Sequence, residues 1–346
     1  MSEPRASLYY LGAKTRLVHT FRRIFEETWP DTNKSVFVDA MAGTGIVTKY
    51  IGPLFARSIV NDQELYSKLV LVAQFARPAD LEPWPVLPAS APGFITANYC
   101  PRKKARFSQN DRMFWSRDNG LALDAFRNWA VATLKGAQLD YAMGCMIIAA
   151  DRCSNTTGGY WGYLRHFNGA QGRRRVSIQQ LPECELDVEV RSEDATALCL
   201  SAPKESVIYL DPPYGRRPYG PNYSILDVIG SAVDTIVESD RNKPGGVTGM
   251  AVERDFKKSV WNSPDALAEL QIILRGTPAS RLVLSYSNDP ANTMKVTAIQ
   301  LSFADCGWTV KTHELDHTRY ASQNPSPHGP KLTEMLFVAE RIPQGV

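Results

Sequence analysis

Four consecutive residues, Asp211-Pro212-Pro213-Tyr214, place a carboxylate, two stiffened carbonyls and an aromatic ring side by side. They follow the apolar run Val207-Ile208-Tyr209-Leu210, which reads as a buried strand. Proline cannot donate a ladder hydrogen bond, so the strand stops at Pro212, and the fixed φ of both prolines stiffens the turn. A planar heterocycle carrying an exocyclic amine suits this constellation. The Asp211 side chain and the Pro212 carbonyl can accept the two amine hydrogens while Tyr214 stacks on the ring. Accepting both hydrogens raises electron density on a nitrogen whose lone pair is otherwise drawn into the ring. The competing account is an ordinary turn after a strand, where Asp and Pro are common.

A second candidate follows Val36-Phe37-Val38, another short apolar run. Asp39-Ala40-Met41 leads into the loop Ala42-Gly43-Thr44-Gly45, and a tight glycine turn after a strand lets backbone approach a ligand at the sheet's carboxyl edge. The loop lacks the third glycine of the dinucleotide fingerprint and the Lys-Ser/Thr of a P-loop. Asp62 closes the next strand, Ser58-Ile59-Val60, at the spacing of an acid that binds ribose hydroxyls. Together they fit a nucleoside-type cofactor with no pyrophosphate to cradle; a plain strand–helix turn is the alternative.

Other chemistries fit less well. His313-Glu314-Leu315-Asp316-His317 matches the zinc-protease pattern, which requires a helix to bring both imidazoles to one face. Here Trp308, Val310 and Leu315 form a β-favouring run, so the two rings would not converge, and no metal is expected. A Cys nucleophile in a Pro-Cys pair is missing, since Cys100-Pro101 has the reverse order. The six cysteines are scattered without a C-x-x-C pair, which favours a reducing cytosol over a disulfide framework.

The elements that must position these residues alternate strand and helix. Leu17, Phe21, Ile24 and Phe25 predict an amphipathic helix over 14–28, and Leu65, Leu69 and Val72 mark another after the second strand. Sheet signals return at 207–210, 282–285, from Trp308 and at 335–338, with helices expected near 225–238 and after Ser263-Pro264. This is an α/β pattern: a Rossmann-like, doubly wound sheet. Its 346 residues are about twice a typical domain, which leaves room for an insert. At 44% hydrophobic and 22% charged residues, disordered, collagen-like and coiled-coil classes are excluded. No apolar run approaches a membrane span, and the first 16 residues carry no signal-peptide stretch.

The insert spans 77–190, with 1–76 and 191–346 forming the core. It is polar and Pro-rich to about 120, then predicts helices over 121–135 and 138–150 and an irregular Gly- and aromatic-rich stretch over 156–172. The formal charge of +3 conceals its character, because residues 101–175 alone sum to +8, from 13 Lys/Arg against 5 Asp/Glu. Aromatics interleave with the charges: Phe107, Phe114, Trp115, Trp129, Tyr160, Trp161, Tyr163 and Phe167. That mixture grips phosphates and stacks bases, or else forms a solvated lobe with its own small core. The clusters Arg102-Lys103-Lys104 and Arg173-Arg174-Arg175 are read as phosphate contacts.

Taken in order, these motifs resemble the Dam-like group of adenine-N6 DNA methyltransferases, which use S-adenosylmethionine. Tyr10-Leu11-Gly12-Ala13-Lys14 resembles the family's amino-terminal cofactor segment, with Ala13 in place of its second glycine. Phe37-Val38-Asp39 with Ala42, Gly43 and Gly45 resembles the methionine-site loop, although Asp39-Ala40 stands where the family usually has Glu-Pro. Asn61-Asp62 resembles the ribose-binding acid, Asp194 the residue near the cofactor adenine, and Tyr209–Tyr214 the catalytic segment. The run from Asp151-Arg152-Cys153 through Tyr163-Leu164-Arg165-His166-Phe167-Asn168-Gly169 resembles the recognition region, so Arg152, Tyr163, Arg165 and Asn168 join the expected DNA contacts. Ser285-Tyr286-Ser287-Asn288 and the stretches Arg319-Tyr320 and Lys331-Leu332-Thr333-Glu334 resemble later core motifs. The resemblance implies a Rossmann-like methyltransferase sheet with helices on both faces and a mostly helical or irregular target-recognition lobe. It implies an enzyme that methylates a flipped adenine in double-stranded DNA, in the cytoplasm of a bacterium or of a phage's host, and it leaves a partner restriction nuclease open. The same residues also serve an RNA-adenine or cytosine-N4 amino-methyltransferase, or a catalytically silent DNA-binding protein.

Overall fold

The computed structural model describes residues 6–8, 12–88, 92–103, 111–167, 169–216, 220–231, 259–316 and 333–343. Tyr10, Lys104, Phe107, Asn168, Arg319, Tyr320, Lys331, Leu332 and the loop 240–258 lie outside the described residues. The strands are β1 (Val36–Asp39), β2 (Arg57–Asn61), β3 (Val188–Arg191), β4 (Ser206–Leu210), β5 (Arg281–Ser287), β6 (Trp308–Asp316) and β7 (Thr333–Arg341). They form one sheet in the order β3-β2-β1-β4-β5-β7-β6. β1 to β5 run parallel, whereas β7 pairs antiparallel with both β5 and β6. From β1 the chain order runs outward to β2 and β3 on one side and to β4 and β5 on the other. The crevice at the carboxyl ends of β1 and β4 is therefore a topological switch point, where open α/β sheets bind ligands.

Period-two alternation divides the buried residues between the two faces. Phe37, Val207, Tyr209 and Val283 share a cluster with Phe21 and Phe25 of α1 (Val18–Thr28) and Ile46 and Ile51 of α2 (Ile46–Ile51). Val38, Ile208, Leu282 and Leu284 face the other way. They pack with Leu198 of α7 (Ala195–Leu200), Leu270 and Ile273 of α9 (Ala266–Gly276), and Ile299 and Phe303 of α10 (Val296–Asp305). Helices thus cover both faces.

The remaining helices are α3 (Leu65–Phe75), α4 (Phe94–Tyr99), α5 (Arg117–Thr133), α6 (Gly136–Arg152) and α8 (Gly220–Gly230). A single apolar cluster joins Leu69 and Val70 of α3, Leu123 and Phe126 of α5, Ile147 of α6 and Ile225 of α8. The packing of α6 on α3 is close enough to require Gly144, because a Cβ there would stand 2.0 Å from the Leu69 carbonyl oxygen. The aromatics of the basic stretch belong mainly to this cluster: Phe114, Trp115 and Tyr160 are fully buried, and Trp129 and Tyr163 pack against it. The expectation that they stack bases is corrected for these three rings, since apolar burial at roughly 25 cal/mol per Å² claims them first. Trp161 remains partly exposed.

Two charges counted in that stretch are internal as well. Asp124 of α5 accepts from the backbone N–H groups of Gly93, Ile95 and Thr96 at 2.8–3.0 Å, capping the start of α4. Buried Arg127 donates to the carbonyls of Ile229 and Ser231 at 2.9 and 2.6 Å, closing the end of α8. Among the described residues no helix is long and apolar enough to cross a membrane.

Candidate active site

Strand β4 ends at Leu210, and Asp211-Pro212-Pro213-Tyr214 emerges from it without regular structure, as two prolines require. Lys14 reaches the same place from the loop ahead of α1. Its ammonium lies 2.8 and 2.7 Å from the two Asp211 carboxylate oxygens. The helix predicted from residue 14 begins instead at Val18, which leaves Lys14 in the preceding turn, where its ammonium also donates to the Gly12 carbonyl. Lys14 is only 5% exposed and Asp211 19%. Burial raises the Asp211 carboxyl above the usual range, Lys14 opposes that rise and Glu334 adds to it.

Tyr214 is held at both ends. Its hydroxyl donates to Asp211 at 2.8 Å and also bonds Glu334. Its carbonyl accepts from the Thr293 amide at 2.9 Å and the Tyr286 hydroxyl at 3.1 Å. The Tyr214 and Tyr286 rings lie 4.6 Å apart at 53°. The expected acceptor Asp211 and the expected stacking ring therefore touch each other, through the hydroxyl.

The glycine loop sits beside this cluster at the end of the neighbouring strand. Asp39, fully buried, accepts from the Thr48 hydroxyl at 2.7 Å through one oxygen. Its other oxygen is buried with no hydrogen-bond partner among the described residues. Burial raises this carboxyl to about 7, with Asp211 and Asp62 adding to the rise. Such an orphaned acceptor is costly unless a donor arrives, so the site fits an ammonium-bearing ligand. Gly43 and Gly45 adopt positive φ, 53° and 73°. Gly45 also answers to packing, because a Cβ there would meet the Phe75 ring at 2.6 Å. The loop is fixed in place by the Ser67 hydroxyl on the Gly43 carbonyl, and by Gln74 and Ser7 on the Thr44 carbonyl.

Asp62 accepts from the amides of Gly43 and Glu64, both at 2.9 Å, and burial raises it to about 6. Asn61 ties the strand ends, donating to the carbonyls of Ala40 and Glu193 and accepting from the Glu193 amide. Asp194 caps α7 by accepting from the amides of Thr196 and Ala197. Sequence reasoning assigned no role to Glu334 and Ser285 at this site, or to Ser67 and Gln74. A polar residue within a buried strand was the available signal for the first two.

The model of the family described as D12 class N6 adenine-specific DNA methyltransferase matches residues 10–238. The chain belongs to that family. Type II methyltransferase M.CviAII of Paramecium bursaria Chlorella virus 1 is 26% identical over 343 residues, covering 95% of this chain and 97% of that protein. Type II methyltransferase M.NlaIII of Neisseria lactamica is also 26% identical, over 81% of this chain and 83% of that one. M.FokI of Planomicrobium okeanokoites is 22% identical over 96% of this chain, which spans 52% of that protein. This is thus a site-specific adenine-N6 DNA methyltransferase.

Arg152, Arg165, Arg173, Arg174 and Arg175 are exposed. Arg165 lies over the Tyr163 ring at 5.6 Å, while the Tyr163 hydroxyl donates to the Asp111 carbonyl. Asn155 pins the loop's base, donating to the carbonyls of Met113 and Leu164. Arg102 pairs with Asp111 at 2.9 Å, and Lys103 is exposed. His313 and Glu314 occupy successive positions on strand β6, not a helix, and His317 lies outside the described residues.

Proposed function

We propose that this methyltransferase takes its methyl group from S-adenosylmethionine, held at the carboxyl ends of β1 and β2, and acts on one adenine turned out of duplex DNA into the crevice at β4. An amine inside the base stack is beyond reach, which makes extrusion necessary. The observation that supports this reading best is the adjacency of the orphaned Asp39 oxygen and the Lys14-bound Asp211 at the ends of neighbouring parallel strands.

S-adenosylmethionine, when bound, supplies a methyl group activated by its sulfonium. Asp39 offers its free oxygen to an ammonium, Gly12, Ala42, Gly43 and Gly45 give backbone close approach, and Asp62 offers its remaining lone pairs to ribose hydroxyls. Asp194 lies at the edge expected to meet the cofactor's adenine. Asp211 and the Pro212 carbonyl accept the hydrogens of the target amine, and Pro213 keeps the turn rigid. Lys14 keeps Asp211 ionised, so that it accepts and does not donate. The Tyr214 ring supplies the apolar face on which the base lies. Catalysis by positioning and fixed charge suffices for these steps. The insert, shortened to 77–187 because Val188–Val190 belong to sheet strand β3, acts as the target-recognition region, with Arg173, Arg174 and Arg175 on phosphates.

The test is tritium transfer from labelled S-adenosylmethionine to duplex DNA, single-stranded DNA and RNA, each digested to nucleosides. Label is expected in N6-methyladenine from the duplex. Label confined to RNA or to single strands would overturn the duplex assignment.

A further inference from the structure

We propose that Glu334 is a positioning residue for methyl transfer: from β7 its carboxylate holds the Tyr214 ring and the Lys14 ammonium in place against Asp211. The inference rests on the reading of Asp211 as acceptor of the adenine amine. Three groups converge on one Glu334 oxygen: the Tyr214 hydroxyl, whose single proton is shared between Asp211 and Glu334, the Ser285 hydroxyl and, at 3.5 Å, the Lys14 ammonium. The backbone beneath is fixed on both sides, because Glu334 pairs with Ser287 of β5 and Leu315 of β6. Its side chain is 3% exposed.

Burying a second carboxylate beside Asp211 costs stability, and an apolar residue of similar size would generally serve the sheet as well or better. What the carboxylate adds is geometry. Without it the Tyr214 hydroxyl keeps only Asp211 and a 3.4 Å contact to Ser285, and Lys14 loses its second carboxylate. The Tyr214 ring would then be held at its hydroxyl chiefly by Asp211, the group it must be kept in register with.

The charge of Glu334 also reaches Asp211. Among the described residues the titratable groups around Asp211 are Lys14 ahead of α1, Asp39 on β1, Tyr209 on β4, Tyr214 in the turn and Glu334 on β7. Lys14 lowers the Asp211 pKa; Glu334 raises it. Asp211 must be ionised to accept, so activity falls as pH drops through its pKa. Removing the Glu334 charge lowers that pKa and moves the acid limb to lower pH.

Glu334→Gln and Glu334→Ala, each checked by thermal melting, are compared with wild type for kcat, KM and pH profile on duplex DNA. Glu334→Gln keeps an acceptor but loses the charge; kcat is expected to fall about tenfold, with the acid limb of kcat/KM displaced to lower pH. Glu334→Ala leaves Tyr214 held chiefly by Asp211, and kcat is expected to fall about 100-fold with KM for DNA little changed. A Glu334→Gln enzyme with an unmoved acid limb or with wild-type kcat overturns the proposal. Should Glu334→Ala fail to fold, the near-isosteric Glu334→Gln decides alone. Wild-type enzyme that leaves no N6-methyladenine would instead refute the reading on which the inference rests.

Discussion

The sheet edge and the basic loops use similar residues to opposite ends. At the edge, Lys14, Asp211, Glu334 and Tyr214 are sunk together, each contacting others of the set, and the acidity of one depends on the charge of the next. On the surface, Arg152 at the end of α6 and Arg165, Arg173 and Arg175 in the loop after it are exposed, and Arg173 donates to the Phe167 carbonyl of its own loop. Buried charges interact through a medium that screens poorly, so their effects are strong, local and pH-dependent. Exposed charges act through a salt-screened field, so theirs are graded and nearly additive. Chemistry belongs with the first kind of arrangement and duplex capture with the second.

The largest contrast is expected from Asp211→Ala. Methyl transfer should fall about 10³-fold or more, the scale of losing a central electrostatic contact, while duplex affinity stays within a few-fold. Single-turnover transfer and fluorescence anisotropy measure the two halves. Comparable losses in both would erase the distinction between the regions.

Arg127 breaks the rule that basic residues in the insert face DNA. Arg127→Ala strips the donors from the carbonyls of Ile229 and Ser231 at the end of α8. An unsatisfied buried acceptor costs about 1–3 kcal/mol, so a loss of about 2–5 kcal/mol in urea unfolding is expected, with the salt slope of DNA binding unchanged. A flattened slope would return Arg127 to the surface set.

Asp39→Asn sharpens the same comparison from the edge. Burial pushes the folded carboxyl up to about 7, against an ordinary value of 3.8. A carboxyl raised on folding contributes its stability when protonated, fully below about pH 4, and loses it as pH rises through 7. The variant escapes that loss. It should equal wild type near pH 4 and exceed it by about 1–3 kcal/mol at pH 8, while binding S-adenosylmethionine more weakly in calorimetry. Reduced stability at pH 8 would mean that the charge is compensated in the folded protein.

Legibility in the sequence followed the range of the interactions. β1, β2, β4 and the turn at Asp211 carry local marks, apolar runs ended by glycine or proline, and they stand where the pattern puts them. β3 left no such mark because Val188-Glu189-Val190-Arg191 is a half-buried edge strand with charges at alternate positions. α4, six residues long, is started by Asp124 from α5 and so has no local cause. The site divides in the same way. Asp211 and Tyr214 are neighbours in the chain, but Lys14 meets Asp211 across 197 positions and Glu334 meets Tyr214 across 120. Composition likewise counted Arg127 and Asp124 as surface charge, because a count carries no information about which side chains turn inward.

The smallest expected effects lie in the loop itself. Arg173, Arg174 and Arg175 are exposed, and the Arg174 carbonyl is anchored by Asn119 at 2.9 Å, so alanine substitutions should leave the backbone path intact. Each phosphate contact removed should flatten the dependence of log affinity on log salt by about 0.9, and the triple variant by up to about threefold that amount. At saturating duplex, kcat should change by less than about twofold, because the largest influences on Asp211 are its burial and then Lys14, Glu334 and Tyr214. A collapse of kcat with an unchanged salt slope would show that the loop shapes the chemistry itself. The division between a buried catalytic edge and an exposed binding surface would then have to be withdrawn.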